Sequence, residues 1–438
     1  MPSAKGHKLR IFWNCLLPGA TTALACLCLT LVNLALARDP PWQHAPGLAD
    51  LGIKPAQAAA LAGPDILLLP HGLHDIEVTG QARPGIFRQV RFVTGLLVVP
   101  ISAEVLQHDL EQPHDATLGR GLHLHIEQLQ TINQDQYYLE TQDYPLPWLH
   151  WHLHMRWHRR TLSSGQWLTE LQEGDIRASL SRTEIYPLDQ QHCLLVFTLW
   201  SDLGSHSWII RLLQQTQPEL SRALPWLAVS TMLEAERQRY SPASTNSNAP
   251  MPSPFMEGSV RIHPWSALPG LAGTEPWVSV DQSFPGSPSS VLALLCQFSR
   301  YPEFLHALKN VHVMQEGAIQ RSDWNLRITI GLLQLHRNYH ITTERSAHEI
   351  DFQGRDDSGH SLQGRWDMLL GAHQNTQSRL SLQTGEDNGW ITGYLRYTPY
   401  PEMAAPMLGA LLILHRSHRW LLHASPKPSI PVLTKHTE

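Results

Sequence analysis

The sequence predicts an α+β protein of two tandem domains, each a curved antiparallel sheet closed by a long C-terminal helix. Three observations lead there. Strand-length alternating segments fill residues 86–240 and again 276–425. In both stretches the order is strand, short helix, strand meander, long helix, which predicts an internal duplication. Between them Ser241–Pro254 reads SPASTNSNAPMPSP, a composition that builds no core and marks a flexible linker, with looser sequence continuing through residue 275.

The second segment is the more legible. Val278, Val280 and Gln282 alternate into a Pro/Gly/Ser turn. Ser287 is placed to cap a helix that opens at Pro288. Val291, Leu294, Leu295 and Phe298 recur at helical spacing, and the helix breaks at Arg300-Tyr301-Pro302 before Glu303-Phe304-Leu305. Strands are expected near Val311–Glu316, Trp324–Ile330, Leu333–Thr342, Glu349–Gly354, Ser361–Leu369 and Ser378–Thr384. Residues 354–359 form a hairpin turn, and Pro401–His423 is the closing helix. The first segment repeats the order more weakly. Strand Phe87–Val99 and helix Ser102–Glu111 lead. Strands near Leu122–Gln130, Tyr137–Thr141, Trp148–Arg159, Trp167–Leu171, Ser179–Ile185 and Cys193–Trp200 follow, and a helix over Pro218–Tyr240 ends it.

Trp277–Leu308 resembles the opening of the START-like helix-grip (SRPBCC) superfamily, in particular its coenzyme Q-binding and polyketide cyclase/lipid transport branch. There a first strand is followed by a short helix ending in a Tyr-Pro-Glu-Phe-type corner. Gly364-Arg365-Trp366-Asp367 is similar to that family's strand with a central Trp, and Pro401–His423 to its C-terminal helix. The resemblance covers roughly a third of the chain. It implies two tandem helix-grip domains and a hydrophobic small-molecule ligand such as a lipid or ubiquinone. It implies no reaction.

A helix across a curved sheet leaves inward side chains around a concave apolar space, where ligands bind. Strand alternation places Trp324, Leu326 and Ile328 on one row, Leu335, Arg337 and Tyr339 on a second, and Trp366 on a third. The helix offers Met403, Met407 and Leu411, and adaptable Met suits a surface that meets varied shapes. Tyr301 and Phe304 come from the corner. These residues form the candidate ligand site, although large apolar side chains also fill ordinary cores. Arg337 stands out, since an unpaired inward charge is costly. It snorkels to the rim, pairs with an acid, meets a ligand's polar head, or is turned outward by a bulge.

Two strands are rich in histidine. Along residues 148–158, Leu149, Trp151, Leu153, Met155 and Trp157 face one way and His150, His152, His154, Arg156 and His158 the other. His123, His125 and Glu127 repeat the pattern. Imidazoles suit Zn, Cu or Ni, but no metal-ligand spacing is present and a half-buried strand needs a polar face in any case. No metal and no cofactor are assigned. Nucleophile elbow, Walker loop and dinucleotide fingerprint are absent from the sequence, so no catalytic residue is assigned either. The expected function is carriage of a hydrophobic molecule. The alternatives are a polyketide cyclase/dehydrase-type enzyme and an envelope protein-interaction module without ligand.

The 438 residues carry a net charge of −5 and no basic block, which argues against nucleic acid as a partner. Lys5, Lys8 and Arg10 precede an uncharged apolar run from Ile11 to Ala37, ending in Ala35-Leu36-Ala37. Residues 1–37 read as a cleaved signal peptide, or else as an uncleaved inner-membrane anchor. Either places the folded part in the periplasm, with membrane-surface contact open to it. Residues 38–85 read as a loosely structured N-terminal extension and 426–438 as a disordered tail. Beyond the signal segment only Cys193 and Cys296 remain, expected as buried thiols.

Overall fold

Alternating side chains make strands of about half of the described residues, and hydrogen bonding joins all seventeen described strands into one antiparallel sheet. The computed structural model describes residues 41–79, 84–112, 115–119, 122–146, 149–204, 211, 215, 218–240, 254–263, 276–316, 319–330, 333–371, 375–385 and 400–424. The expected signal or anchor segment and the C-terminal tail lie outside the described residues. Among the described residues no helix is long and apolar enough to cross a membrane.

The first half supplies β1 (Ile66–Val78), β2 (Gly85–Val99), β3 (Ala116–Leu118), β4 (Leu122–Ile132), β5 (Asp135–Leu146), β6 (Leu149–Ser163), β7 (Gln166–Gly174), β8 (Ala178–Pro187) and β9 (Cys193–Asp202). Strands β3 to β9 form a meander, β9 pairs with β2, and β2 with β1. The second half supplies β10 (Val260–His263), β11 (Trp277–Phe284), β12 (Leu308–Glu316), β13 (Ile319–Ile330), β14 (Leu333–Arg345), β15 (Glu349–Asp356), β16 (Ser361–Leu370) and β17 (Thr376–Thr384). Strands β12 to β17 form the meander, β17 pairs with β11, and β11 with β10. The halves meet where β1 pairs with β10, with Leu67 opposite Arg261.

That junction corrects two sequence expectations. Ile66–Val78 is not part of a loose extension but a thirteen-residue strand whose first four side chains are buried. Val260–His263 is not linker but a buried strand. Both are short of sequence context: one follows a Pro/Gly/Ala-rich stretch and the other is only four residues long, too short for alternation to show. Each is a strand because its neighbours satisfy its backbone and cover both faces.

Four of the five α-helices described fall where the sequence expects them, and the first lies within the expected loose extension. α1 (Pro55–Ala62) packs on β1 and β2. α2 (Ala103–Glu111) is capped by Ser102, whose Oγ accepts from the Val105 N–H at 3.4 Å. α3 (Pro218–Tyr240) closes the first half. α4 (Pro288–Leu295) is capped by Ser287, whose Oγ accepts from the Ser290 N–H at 3.3 Å. It stops five residues before the expected Arg300, giving way to a 3-10 turn over Phe298–Glu303. Pro302, which has no N–H to give, makes a tighter turn the cheaper continuation. α5 (Pro401–Ala424) closes the second half.

The two halves share fine detail. Thr94 on β2 lies opposite Thr198 on β9, and Ser279 on β11 opposite Ser381 on β17. Pro100 and the cap Ser102 follow Thr94 at the spacing at which Pro285 and the cap Ser287 follow Ser279. On the closing helices Ala223, Pro225, Trp226, Val229 and Leu233 match Ala404, Pro406, Met407, Ala410 and Leu414 at identical spacing. All of these except Pro225 are buried. The chain is thus two tandem helix-grip domains, each an antiparallel sheet around a long C-terminal helix.

The core is shared. One apolar cluster takes in Trp226, Val229 and Leu233 of α3, Met403, Met407 and Leu414 of α5, and inner-face residues of both half-sheets. From Gln43 onward the described residues form one compact unit. At Gly95 on β2 a side chain would collide with Val229 and Leu233, so the missing Cβ is what lets α3 lie close on the sheet. Cys193 is a buried thiol and Cys296 a half-buried one.

Candidate functional site

The candidate site of the second half lies on the sheet face that α5 covers. Trp324 pairs with Tyr339, and Tyr339 with Asp356; Leu326 pairs with Arg337. Ile350, Trp366, Leu380 and Val280 form one cross-strand row, and Phe352, Gly364, Leu382 and Val278 the next. Trp366, Met403 and Met407 are almost wholly buried in the shared core, with Trp324, Leu326 and Leu411 packed against it. The Trp366 indole N–H donates to Ser378 Oγ at 2.5 Å. Ile328 and Leu335 face each other in register, and their side chains lie outside the described residues.

Tyr301 and Phe304 build the corner. Phe298, Tyr301 and Trp324 stack edge to face or tilted, with centroids 5.2–6.0 Å apart. Phe304 stacks on Trp420 of α5 at 5.0 Å. The Tyr301 hydroxyl donates to the Leu295 carbonyl at 2.7 Å, closing the end of α4. Glu303 accepts from the Trp420 indole N–H at 3.0 Å and from Arg300 at 2.8 and 2.9 Å, while Arg300 lies over the Trp420 ring. The Arg300 guanidinium holds the Glu303 carboxyl below the usual range. The Tyr-Pro-Glu-Phe corner is a clasp on the closing helix, with its polar groups committed to that task.

Arg337 has an acid partner. It lies 3.0 Å from Asp356 and donates to Ser358 Oγ at 3.0 Å. Asp356 also takes the His360 ring N–H at 2.6 Å and the Ser358 and His360 backbone N–H groups at 2.9 Å. Burial works to raise the Asp356 carboxyl, but these bonds prevail and it is lowered. Burial first, and then Asp356, push the Tyr339 phenol up. The arginine therefore anchors the 356–360 turn.

The first half holds a polar row absent from the sequence-based site. Inward-facing Gln136, Tyr138, Glu140 and Gln142 of β5 lie opposite Arg159, Trp157, Met155 and Leu153 of β6. Register carries this face across β7, β8 and β9 to Gly95, beneath α3. Gln142 Nε2 donates to Glu140 at 2.5 Å, Arg159 to the Leu110 carbonyl at 2.6 Å, and Gln136 to the Glu111 carbonyl at 2.9 Å. Arg159 also stacks over Trp167 at 4.5 Å. Burial pushes the Glu140 carboxyl and the Tyr138 phenol up, and lowers Arg159. Alternation did not mark this row, because the opposite face of β5 carries Asp135, Thr141 and Asp143 as well.

The histidine strands flank β5 and present their imidazoles outward. His123, Asp143 and His152 form one cross-strand row, and His125, Thr141 and His154 the next. His125 pairs with Asp115 and His152 with Asp143. Among the described residues no three metal-ligand side chains are grouped to hold an ion.

A buried chain on the outer face has a hydrolase-like order. Asp65 lies 3.0 Å from His263 Nδ1, and His263 Nε2 lies 3.1 Å from Ser279 Oγ. Ser279 Oγ in turn is 2.8 Å from Ser381 Oγ, and all of these residues are buried. The first half repeats it without the acid, as His71, Thr94 and Thr198 at 2.7 Å each. Sealed from solvent, with the hydroxyl shared between strands, the chain is a cross-strand brace. Asp65, at the start of β1, makes it also a tie between the halves.

One family model and several solved structures resemble parts of this chain. Residues 284–414 match the family model described as polyketide cyclase / dehydrase and lipid transport. No curated protein matches the chain in sequence. Among solved structures, TTHA0849 from Thermus thermophilus is 20% identical, covering 34% of this chain and 100% of its own, at a TM-score of 0.29. The di-domain ARO/CYC protein BexL from the BE-7585A biosynthetic pathway is 11% identical, covering 77% and 100%, at 0.27. The STAR-related lipid transfer protein from Xanthomonas axonopodis is 14% identical, covering 38% and 96%, at 0.27. Likenesses this distant carry nothing about activity. What stands is that residues 284–414 match the polyketide cyclase / dehydrase and lipid transport family model, within a fold of two tandem sheets each closed by a long helix.

Proposed function

We propose that this protein binds and carries a hydrophobic small molecule, such as a lipid or a prenyl quinone, between a closing helix and the concave face of its sheet. The carrying observation is the helix laid over an inward apolar face, within the stretch that matches a cyclase and lipid-transport family model. The basic start, apolar run and Ala35-Leu36-Ala37 support a periplasmic location after cleavage at Ala37. Native mass spectrometry of protein purified from its own envelope, followed by lipid extraction, tests the carrier. A stoichiometric copurifying lipid or quinone is expected. Protein partners with no small molecule would point to an assembly module instead. N-terminal sequencing of the same material should begin at Arg38; an intact Met1 on membrane-bound protein would indicate an anchor.

A second reading has its own observation. Tyr138, Glu140 and Arg159 on the first concave face are groups able to move or hold protons, which a cyclase/dehydrase would need. Turnover of a hydrophobic substrate by the purified protein would favour it.

A further inference from the structure

The turn between β15 and β16 is gripped from both faces of the sheet. On the inner face Arg337 of β14 lies 3.0 Å from Asp356 and donates to Ser358 Oγ at 3.0 Å. On the outer face the grip belongs to His340, also on β14. Its Nδ1 lies 2.8 Å from Asp323 Oδ1 of β13, and its Nε2 lies 3.1 Å from Asp357 Oδ1 of the turn. Asp357 also accepts from Asn338 Nδ2 at 2.9 Å, and Asn338 from Asn325 Nδ2 at 2.8 Å. A neutral imidazole has one N–H and one acceptor nitrogen, whereas an ionised carboxylate only accepts. Two carboxylates, one at each ring nitrogen, are therefore satisfied together only by the imidazolium. Other charged groups surround the ring. Arg355 lies opposite it on β15, His312 lies beyond Asp323 on β12, and Arg321 is the next outward residue of β13. Arg337, Asp356 and His360 form a separate cluster at the same turn. Among these the bond to Asp323, and then that to Asp357, prevail and push the His340 ring up.

We propose that His340 is a proton-operated latch on the β15–β16 turn. Charged, it ties Asp357 to Asp323 and so binds the turn to β13 across β14. Neutral, it keeps one N–H, and its other nitrogen turns a lone pair toward a carboxylate, so one of the two contacts parts. The contact to Asp357 is the longer and belongs to a turn, whereas Asp323 sits within a strand paired on both sides. The turn is the side that lets go. The charged ring prevails below its raised pKa, so the turn is held there and freed as pH rises through it. Ser358 of that turn is a partner of Arg337, so its release removes one anchor of a guanidinium on the inward row of the second half. The latch does not depend on which molecule is carried, or on whether one is.

Hydrogen–deuterium exchange of the full-length protein, read by mass spectrometry and corrected for the intrinsic pH dependence of amide exchange, tests the latch. The reporters are the Ser358, Gly359 and His360 N–H groups, all bonded within the turn. Between about pH 6 and about pH 9 their corrected exchange should rise about threefold, while β13 and β14 stay protected. His340→Gln removes the titrating ring and should show the faster rate at both ends of that range. Asp357→Ala removes the carboxylate on the turn and should do the same. His360→Gln removes the other imidazole at the turn and should leave the step in place. In the parent, imidazole nitrogen NMR should find both His340 nitrogens protonated at about pH 6.5, where a free imidazole is half charged. A parent without the exchange step, or with a singly protonated His340 at that pH, would overturn the proposal. So would a step that survives His340→Gln and disappears in His360→Gln, which would place the switch on the Asp356–His360 pair instead.

Discussion

Single buried side chains decide what each site does. Met407 has no exposed surface, and the helix around it packs on Trp366 and Leu380 through the shared core. Met407→Trp must therefore overpack, at a cost of roughly 1–3 kcal/mol. Thermal denaturation should show a lowered melting temperature; an unchanged one, with weaker binding of a hydrophobic probe, would reveal open space there. His71 makes a second case. Burial, and then the nearby His74, lower its ring to about 4, while its Nε2 meets Thr94 at 2.7 Å. The folded state thus binds fewer protons than the unfolded one between about pH 6.5 and 4, and stability falls as pH falls through that window. The loss is on the order of 3 kcal/mol at its acid end. Asp367, pushed up to about 6 by burial, acts oppositely: its share of stability is lost as pH rises from about 4 to 6. Melting curves against pH for His71→Gln and Asp367→Asn should tilt in opposite directions relative to the parent. Parallel curves would mean that neither group is shifted by the fold.

At the scale of elements, close approach is what makes the helix grip. Gly95→Val sets two methyls against Val229 and Leu233 and should destabilise by roughly 1–3 kcal/mol, read by urea unfolding. A neutral result would mean that α3 rides higher on the sheet. Much of this element layer was legible in the sequence. Ser287 caps its short helix as the sequence implied, and the second long helix begins at Pro401 as expected. The outward histidines of β4 and β6 also follow from alternation alone. The missed elements depend on contacts remote in sequence. β10 is four residues of strand held by β1 and β11, and local pattern carries no trace of either partner. The polar row of β5 was missed for a related reason: polar residues on an inward face look like an outward face until register is known. Arg337 shows the limit within one residue, since its inward position was readable but its partner Asp356, on the next strand, was not.

At the scale of the molecule, the two copies are joined more tightly than a linker between them would require. β1 and β10 make one sheet of both, Asp65 of the first half reaches His263 of the second, and Arg261 donates to the Leu61 carbonyl at 2.8 Å. The helices α3 and α5 place Trp226, Val229, Met403 and Met407 in a common apolar cluster. Burial shared in this way is lost from both partners when they part, so each half alone exposes core. A protease should still cut first in the Ser/Pro/Asn-rich stretch 241–253, where side chains offer no core. That cut leaves β10 on the C-terminal fragment, still able to pair with β1. The nicked protein is therefore expected to elute from a sizing column as one species and to melt in one transition. Each half expressed alone should aggregate or melt well below the nicked complex. Two fragments that separate on the column and each unfold cooperatively at the parent's melting temperature would show that the common cluster contributes little. The tandem copies would then be independent modules rather than halves of one folding unit.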